Sequence, residues 1–141
     1  HDDVGHITED SIIATKMNNR RMNKLNLIKA ELPKPELIGE EEADLTIVSW
    51  GSNKGAIIEA INKIENKKIN FLSLKFISPF QDEIKFILKN AKNLLLIEAN
   101  YSAQLGSVIR EKTGINIENK YLRYDGKIFT VDDIYNKLKE L

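Results

Sequence analysis

Beyond residue 44 the chain alternates two hydrophobic patterns. Apolar-rich runs occupy 45–50, 69–77 and 94–97. Each is followed by a segment whose apolar residues recur every three or four positions. The first pattern is that of strands, the second that of helices with one inward face. Run 45–50 stops at Gly51. Ser52 or Asn53 is placed to cap a helix with Ile57, Ile58, Ile61 and Ile64 inward, closed by Asn66-Lys67-Lys68. Ser78-Pro79 opens the next helix, because proline suits a first helical turn. Its inner face is Phe80, Ile84, Ile87, Leu88 and Ala91, and Asn93 ends it. Leu94-Leu95-Leu96-Ile97 is the most apolar run and reads as a central strand. Tyr101 or Ser102 starts a helix through Leu105, Val108 and Ile109, stopped at Gly114. Ile115, Ile117 and Tyr121 alternate with Asn116, Glu118 and Lys120, which predicts a half-exposed edge strand over 115–121. Asp125-Gly126 is a turn, and Thr130-x-x-Asp133 a capping box before Ile134, Leu138 and Leu141. Strand–helix repeated four times predicts an α/β fold: a mainly parallel sheet between two helical layers, a three-layer α/β/α sandwich.

The first third has a different pattern. Ile13, Met17, Leu25, Ile28 and Leu32 are spaced by threes, fours and an eight, which predicts one long helix. Thr8 or Asp10 caps its start, and Pro33 and Pro35 end it. Lys16, Arg20, Arg21, Lys24 and Lys29 make it basic, whereas Glu36, Glu40, Glu41, Glu42 and Asp44 make the following segment acidic. That segment, 36–44, contains Gly39 and has no periodicity, so it is expected to be an irregular linker. The expected organisation is therefore 1–43, a linker, basic helix and acidic linker, and 44–141, the α/β domain. The helix stripe needs an apolar partner and is expected to act as a brace across the α/β unit or onto a second subunit.

Composition narrows the classes. The 141 residues are 42% hydrophobic and 30% charged, the balance of a globular chain. Lys plus Arg number 21 and Asp plus Glu 21, which argues against a general nucleic-acid or membrane-surface binder. No apolar run reaches the ~20 residues of a membrane helix. With no cysteine, the chain offers no disulfide, no thiolate nucleophile and no thiolate ligand for an iron–sulfur cluster. It begins His1-Asp2-Asp3 without an initiator methionine or signal peptide, as if cut from something longer, and a cytoplasmic location is expected.

Chemical motifs are sparse. No Walker loop, GxGxxG, HExxH or GxSxG occurs. His1, Asp2, Asp3, His6, Glu9 and Asp10 are metal-ligand types, but they read as a solvated terminal segment, and no metal ligand or catalytic residue is assigned. Gly51-Ser52-Asn53-Lys54-Gly55 is either a tight βα turn or an anion-receiving helix start. Glu98, at the mouth of the central strand, is either an acid–base carboxylate or a partner for helix N-termini; Asn100, Ser102 and Gln104 beside it look like hydrogen-bonding surface.

Asp44-Leu45-Thr46-Ile47-Val48-Ser49-Trp50-Gly51-Ser52, Phe76-Ile77-Ser78-Pro79-Phe80 and the strand ending Glu98-Ala99-Asn100 resemble the C-terminal domain of transketolase-like thiamine diphosphate enzymes. Three further segments narrow the resemblance. Gly5-His6-Ile7-Thr8-Glu9-Asp10, the helix with Arg20-Arg21-Met22-x-Lys24-Leu25, and Tyr124-Asp125-Gly126-Lys127-Ile128-Phe129-Thr130 are similar to segments of the alpha subunits of 2-oxoacid:ferredoxin oxidoreductases. Ala99, where that family often has glutamine, and Lys127-Ile128, in place of Arg-Pro, depart from the pattern.

The resemblance implies a transketolase C-terminal-like fold with the strand at 69–77 beside 45–50, then 94–98, then 115–121. Ser52, Asn53, Lys54, Glu98, Asn100 and Ser102 would then meet in a crevice where a ligand or another domain could sit. It further implies a structural and interface domain of an enzyme that oxidises a 2-oxoacid with coenzyme A to acyl-CoA, carbon dioxide and reduced ferredoxin. The partners would be the rest of the alpha subunit, the beta subunit and, through the whole complex, ferredoxin. Thiamine diphosphate, magnesium and an iron–sulfur cluster would belong to the whole enzyme and none of them to this chain, which alone would be inactive. The C-terminal domain of another transketolase-like thiamine enzyme and a free-standing α/β ligand-binding module remain as alternatives.

Overall fold

The computed structural model describes residues 1–141, which fall into two compact units, His1–Pro33 and Lys34–Leu141. The first is built on helix α1 (Ser11–Glu31). The Asp10 carboxylate accepts from the backbone N–H groups of Ile12 and Ile13, satisfying two donors that a helix start leaves open. At the other end Leu32 leaves the helical region just before Pro33. No residue of α1 is buried. Of the anticipated stripe, Leu25 and Ile28 are exposed and Ile13, Met17 and Leu32 only half-buried. The physical reason lies in the spacing: Arg20 and Lys24 occupy the helical steps between Met17 and Ile28, so the apolar residues share their face with cations.

The second unit is a five-stranded sheet in the order β1-β3-β2-β4-β5. Its strands are β1 (Glu36–Gly39), β2 (Leu45–Trp50), β3 (Ile69–Leu74), β4 (Leu94–Glu98) and β5 (Lys120–Leu122). Pairs β2–β3, β2–β4 and β4–β5 are parallel, as the strand order anticipated, and β1–β3 is antiparallel. Alternate side chains serve opposite faces. Ile47, Phe71, Leu95 and Ile97 pack with Ile57 and Ala60 of α2 (Lys54–Asn62) and with Ile134 and Leu138 of α5 (Val131–Glu140). Val48, Leu72 and Leu96 pack with Ile84 and Leu88 of α3 (Asp82–Asn90) and with Leu105 and Ile109 of α4 (Gln104–Thr113). The result is the three-layer α/β/α sandwich. No helix is long and apolar enough to cross a membrane.

Several boundaries differ from the sequence reading. Residues 36–39 form β1, not irregular linker. Gly39 makes this possible: its φ is +108°, and a Cβ there would lie 2.6 Å from the Ile69 carbonyl oxygen. Glu36 is anchored by Lys54 and Lys75 at 2.7 and 3.0 Å, and these ammonium groups hold its carboxyl below the usual range. The strand expected over 69–77 ends at Leu74, and α3 begins at Asp82, so Pro79 is not in its first turn. Helix α2 ends at Asn62, short of Asn66. Only 120–122 of the run 115–121 pairs in the sheet, although Ile117 is buried in the α3–α4 layer.

Gly114, at φ +78°, terminates α4 as expected. The capping box at Thr130 and Asp133 also forms. Arg123, just after β5, donates to both Asp133 and the Ile128 carbonyl and lies over the Phe129 ring. The guanidinium, aided by two bonds from Thr130, holds the Asp133 carboxyl well below the usual carboxylate range. A carboxyl depressed on folding stabilises the fold above its unfolded value of about 3.9, and that contribution is lost as pH falls further toward the depressed folded value. Urea midpoints of the wild-type chain are therefore expected to fall below about pH 4 more steeply than those of Asp133→Asn. Parallel profiles for the two proteins would refute this account of the α5 start.

Candidate functional site

The carboxyl ends of β2 and β4 lie side by side because the two strands pair in parallel. From β2 the chain crosses through α2 to β3 on one side; from β4 it crosses through α4 to β5 on the other. Connections that diverge in this way leave a crevice between the two strand ends. The loops carrying Ser52, Asn53 and Lys54 and those carrying Glu98, Asn100 and Ser102 both leave from this edge.

The hydrogen bonds show what these residues do there. Ser49, the buried penultimate residue of β2, donates through Oγ to the Ile97 carbonyl of β4 at 2.6 Å. Asn53 donates through Nδ2 to Ser49 Oγ at 3.2 Å. Asn53 is thus turned inward as a tie between strand ends, and although it stands at the N-cap position of α2 its side chain makes no capping bond. Residues 51–53 instead form one turn of 3-10 helix leading into α2.

Glu98 is fully buried at the end of β4. Its Oε2 accepts from Leu105 N–H at 3.0 Å and from Asn100 Nδ2 at 2.6 Å, and its Oε1 accepts from Gly106 N–H at 3.0 Å. The amides of Leu105 and Gly106 belong to the first turn of α4, where the helix dipole favours negative charge. Asn100 adds a second link, its Oδ1 accepting from Gln104 N–H at 3.2 Å. The carboxylate therefore pins the start of α4 to the end of β4. Of the two roles open to Glu98 in the sequence, the structure shows the partner of helix N-termini. Gly106 permits the close approach, since a Cβ there would lie 2.7 Å from Leu96 Cδ2.

Between these anchors Ala103 is left-handed, at φ 52° and ψ 56°, so α4 begins at Gln104 and not at Tyr101 or Ser102. Such a backbone costs a non-glycine residue about 1–3 kcal/mol and persists because its surroundings over-determine it. The loop carries Tyr101 outward, where it meets Tyr124 edge-on at 4.9 Å, both rings exposed.

The anticipated set is thus divided. Glu98 and Asn100 share one network, and Asn53 joins the strand ends through Ser49. Lys54 is committed to Glu36 of β1. Ser52 and Ser102 are exposed. Ser49 and the Tyr101–Tyr124 pair went unanticipated. Ser49 read as one more residue of an apolar strand, and Tyr124 is brought to Tyr101 only by the pairing of β4 with β5. In the N-terminal unit Asp2 accepts from the backbones of Val4 and His6, Asp3 pairs with Lys16 and Arg20, and Asp10 caps α1. No group of three or more His, Asp or Glu is gathered to hold a metal ion.

No family model matches the chain. Individual proteins do. The 2-oxoacid:ferredoxin oxidoreductase subunit alpha of Saccharolobus solfataricus is 31% identical over 99% of this chain and 23% of its own length. The chain thus spans under a quarter of the curated relatives it matches. The 2-oxoglutarate:ferredoxin oxidoreductase of Magnetococcus marinus was solved with 2-oxoglutarate, coenzyme A and succinyl-CoA bound. It matches 99% of this chain and 25% of its own at 28% identity, with a TM-score of 0.85. The alpha chain of a probable 2-oxoacid ferredoxin oxidoreductase from Thermoplasma acidophilum is 44% identical, over 76% of this chain and 95% of that one, with a TM-score of 0.54. By fold and by relatives, this chain belongs to the family of 2-oxoacid:ferredoxin oxidoreductase alpha subunits.

Proposed function

We propose that the chain is the C-terminal structural and interface domain of a thiamine diphosphate-dependent alpha subunit of this family, working in the cytoplasm with its beta subunit. The whole enzyme would oxidise a 2-oxoacid with coenzyme A to acyl-CoA and carbon dioxide and pass electrons to ferredoxin. One observation carries the reading: at the crevice, both carboxylate oxygens of Glu98 are engaged by the start of α4 and by Asn100. A carboxylate held that way shapes a loop and is not directed at a reacting atom. The loop it shapes presents Tyr101 outward, a residue type enriched at protein contacts, beside the exposed Ser102 and Gln104.

The donor set does not fit the cofactors of the whole enzyme. An iron–sulfur cluster of the usual kind takes thiolates, and the sequence has none. Magnesium diphosphate needs convergent oxygen ligands, whereas Glu98 and Glu36 are bound within the domain. No catalytic step is assigned to this chain. Thiamine diphosphate supplies carbanion chemistry wherever it is bound, and this domain's contribution is to hold neighbouring parts in register. Titration calorimetry of the chain with thiamine diphosphate and magnesium is expected to show no saturable heat at micromolar concentrations. A micromolar dissociation constant would overturn the proposal and favour the free-standing ligand-binding module.

A further inference from the structure

Away from the crevice, toward the amino ends of β2 and β3, a groove of about 560 Å³ opens between β1 and the outer side of α3. That size is within the range of small-molecule sites. Leu37 and Phe86 wall it, and Phe86 is 72% exposed. Thr46 and Asn70, both buried, form its floor. Asn70 donates through Nδ2 to the Glu40 carbonyl at 3.1 Å, which fixes its amide and leaves Oδ1 with no hydrogen-bond partner. Buried acceptors in folded proteins are nearly always paired, so an unpaired one in the floor of an open groove points to a donor from outside the chain.

Glu41 and Glu42 stand at the rim, both exposed. The one cation lining the groove, Lys92, pairs with Asp44 at 2.8 Å, so the two glutamates leave the rim negative. From floor to rim the groove offers a neutral acceptor, hydrocarbon walls and negative charge. A ligand that answers all three has an N–H donor, a hydrocarbon stem and a positive group beyond it. Aliphatic diamines have this form. The inner nitrogen enters as a neutral amine, because burial disfavours its charge, and the outer one stays an ammonium in water beside the glutamates. A lysine or arginine side chain, such as those of α1, carries a single basic group on its stem and answers the floor or the rim, not both.

We infer that this groove is a binding site for an aliphatic diamine. The stem lies between Leu37 and Phe86, one nitrogen donates to Asn70 Oδ1, and the other meets Glu41 and Glu42. The inference uses neither the crevice nor any cofactor, so it stands or falls separately from the function proposed above.

Titration calorimetry and amide NMR of the full chain with 1,4-diaminobutane test it. The expected result is saturable binding at a single site, with shifts concentrated at Leu37, Glu41, Glu42, Asn70 and Phe86. n-Butylamine, which lacks the second nitrogen, should bind about tenfold more weakly. Glu41→Gln with Glu42→Gln, at exposed positions, should weaken diamine binding about fivefold at low salt and leave the urea midpoint unchanged. Asn70→Ser should remove the preference for the diamine over butylamine. The combined variant Arg20→Gln, Arg21→Gln and Lys24→Gln should bind the diamine as the wild type does, which separates a free diamine from a cation supplied by α1. No saturable binding below about 10 mM, equal affinity for butylamine and the diamine, shifts elsewhere in the domain, or tighter binding once the α1 cations are removed would each overturn the assignment.

Discussion

Phe71→Ala is expected to lower the unfolding free energy by about 3–5 kcal/mol, the range for emptying an aromatic site in a packed core. Phe71 has no exposed surface. On β3 it stands opposite Ile38 of β1 and Ile47 of β2, beneath the layer that contains α2 and α5. Alanine would leave a void bordered by two strands and a helical layer, and a sheet held from both sides has little freedom to collapse into it. The check is a urea titration in which the midpoint falls and the slope is unchanged. The exposed Phe86 supplies the contrast, since Phe86→Ala should change stability by no more than about 0.5 kcal/mol. If the two variants lost equal amounts, the layer assignment would be wrong.

Glu98→Ala should cost about 3–5 kcal/mol for another reason. The side chain contributes little volume to the core, but its removal strands the amides of Leu105 and Gly106 and the Asn100 side chain. Glu98→Gln keeps the shape and one acceptor oxygen, and should cost about 1–2 kcal/mol. Amide exchange separates local from global damage. In Glu98→Gln, the Leu105 and Gly106 amides should exchange faster while those of Leu95 to Ile97 hold. Unchanged protection at Leu105 and Gly106 would show that the carboxylate does not pin the start of α4.

The parallel core was legible because its signals are local. Runs such as Leu94–Glu98 are too apolar for a half-exposed strand, and the inward residues of α3 and α5 recur at helical spacing. The capping box at Thr130 and the stop at Gly114 are likewise written in a few adjacent residues. Strand β1 was not legible. Four residues with a charge at one end and a glycine at the other carry no period; they become a strand because β3 offers an open edge and Lys54 and Lys75 meet Glu36 there. Helix α1 was legible as a helix, but its apolar stripe is a mixed face because Arg20 and Lys24 fall at the helical steps between Met17 and Ile28.

At the crevice the residue types could be read, but their roles could not. Asn53 looked like a cap and Glu98 could have been an acid, since either residue does either job. Nothing near them in the chain states which carbonyl Ser49 will face, or that Leu105 and Gly106 will present their amides to Glu98. Those partners lie on other elements, and only the parallel pairing of β2 with β4 and the docking of α4 bring them within reach. The sequence by itself determined the elements and the sandwich, through hydrophobic period and local caps. The tertiary structure alone decided the sheet's fifth strand and the internal use of the crevice's polar groups, because hydrogen bonds between distant residues have no signature in local spacing.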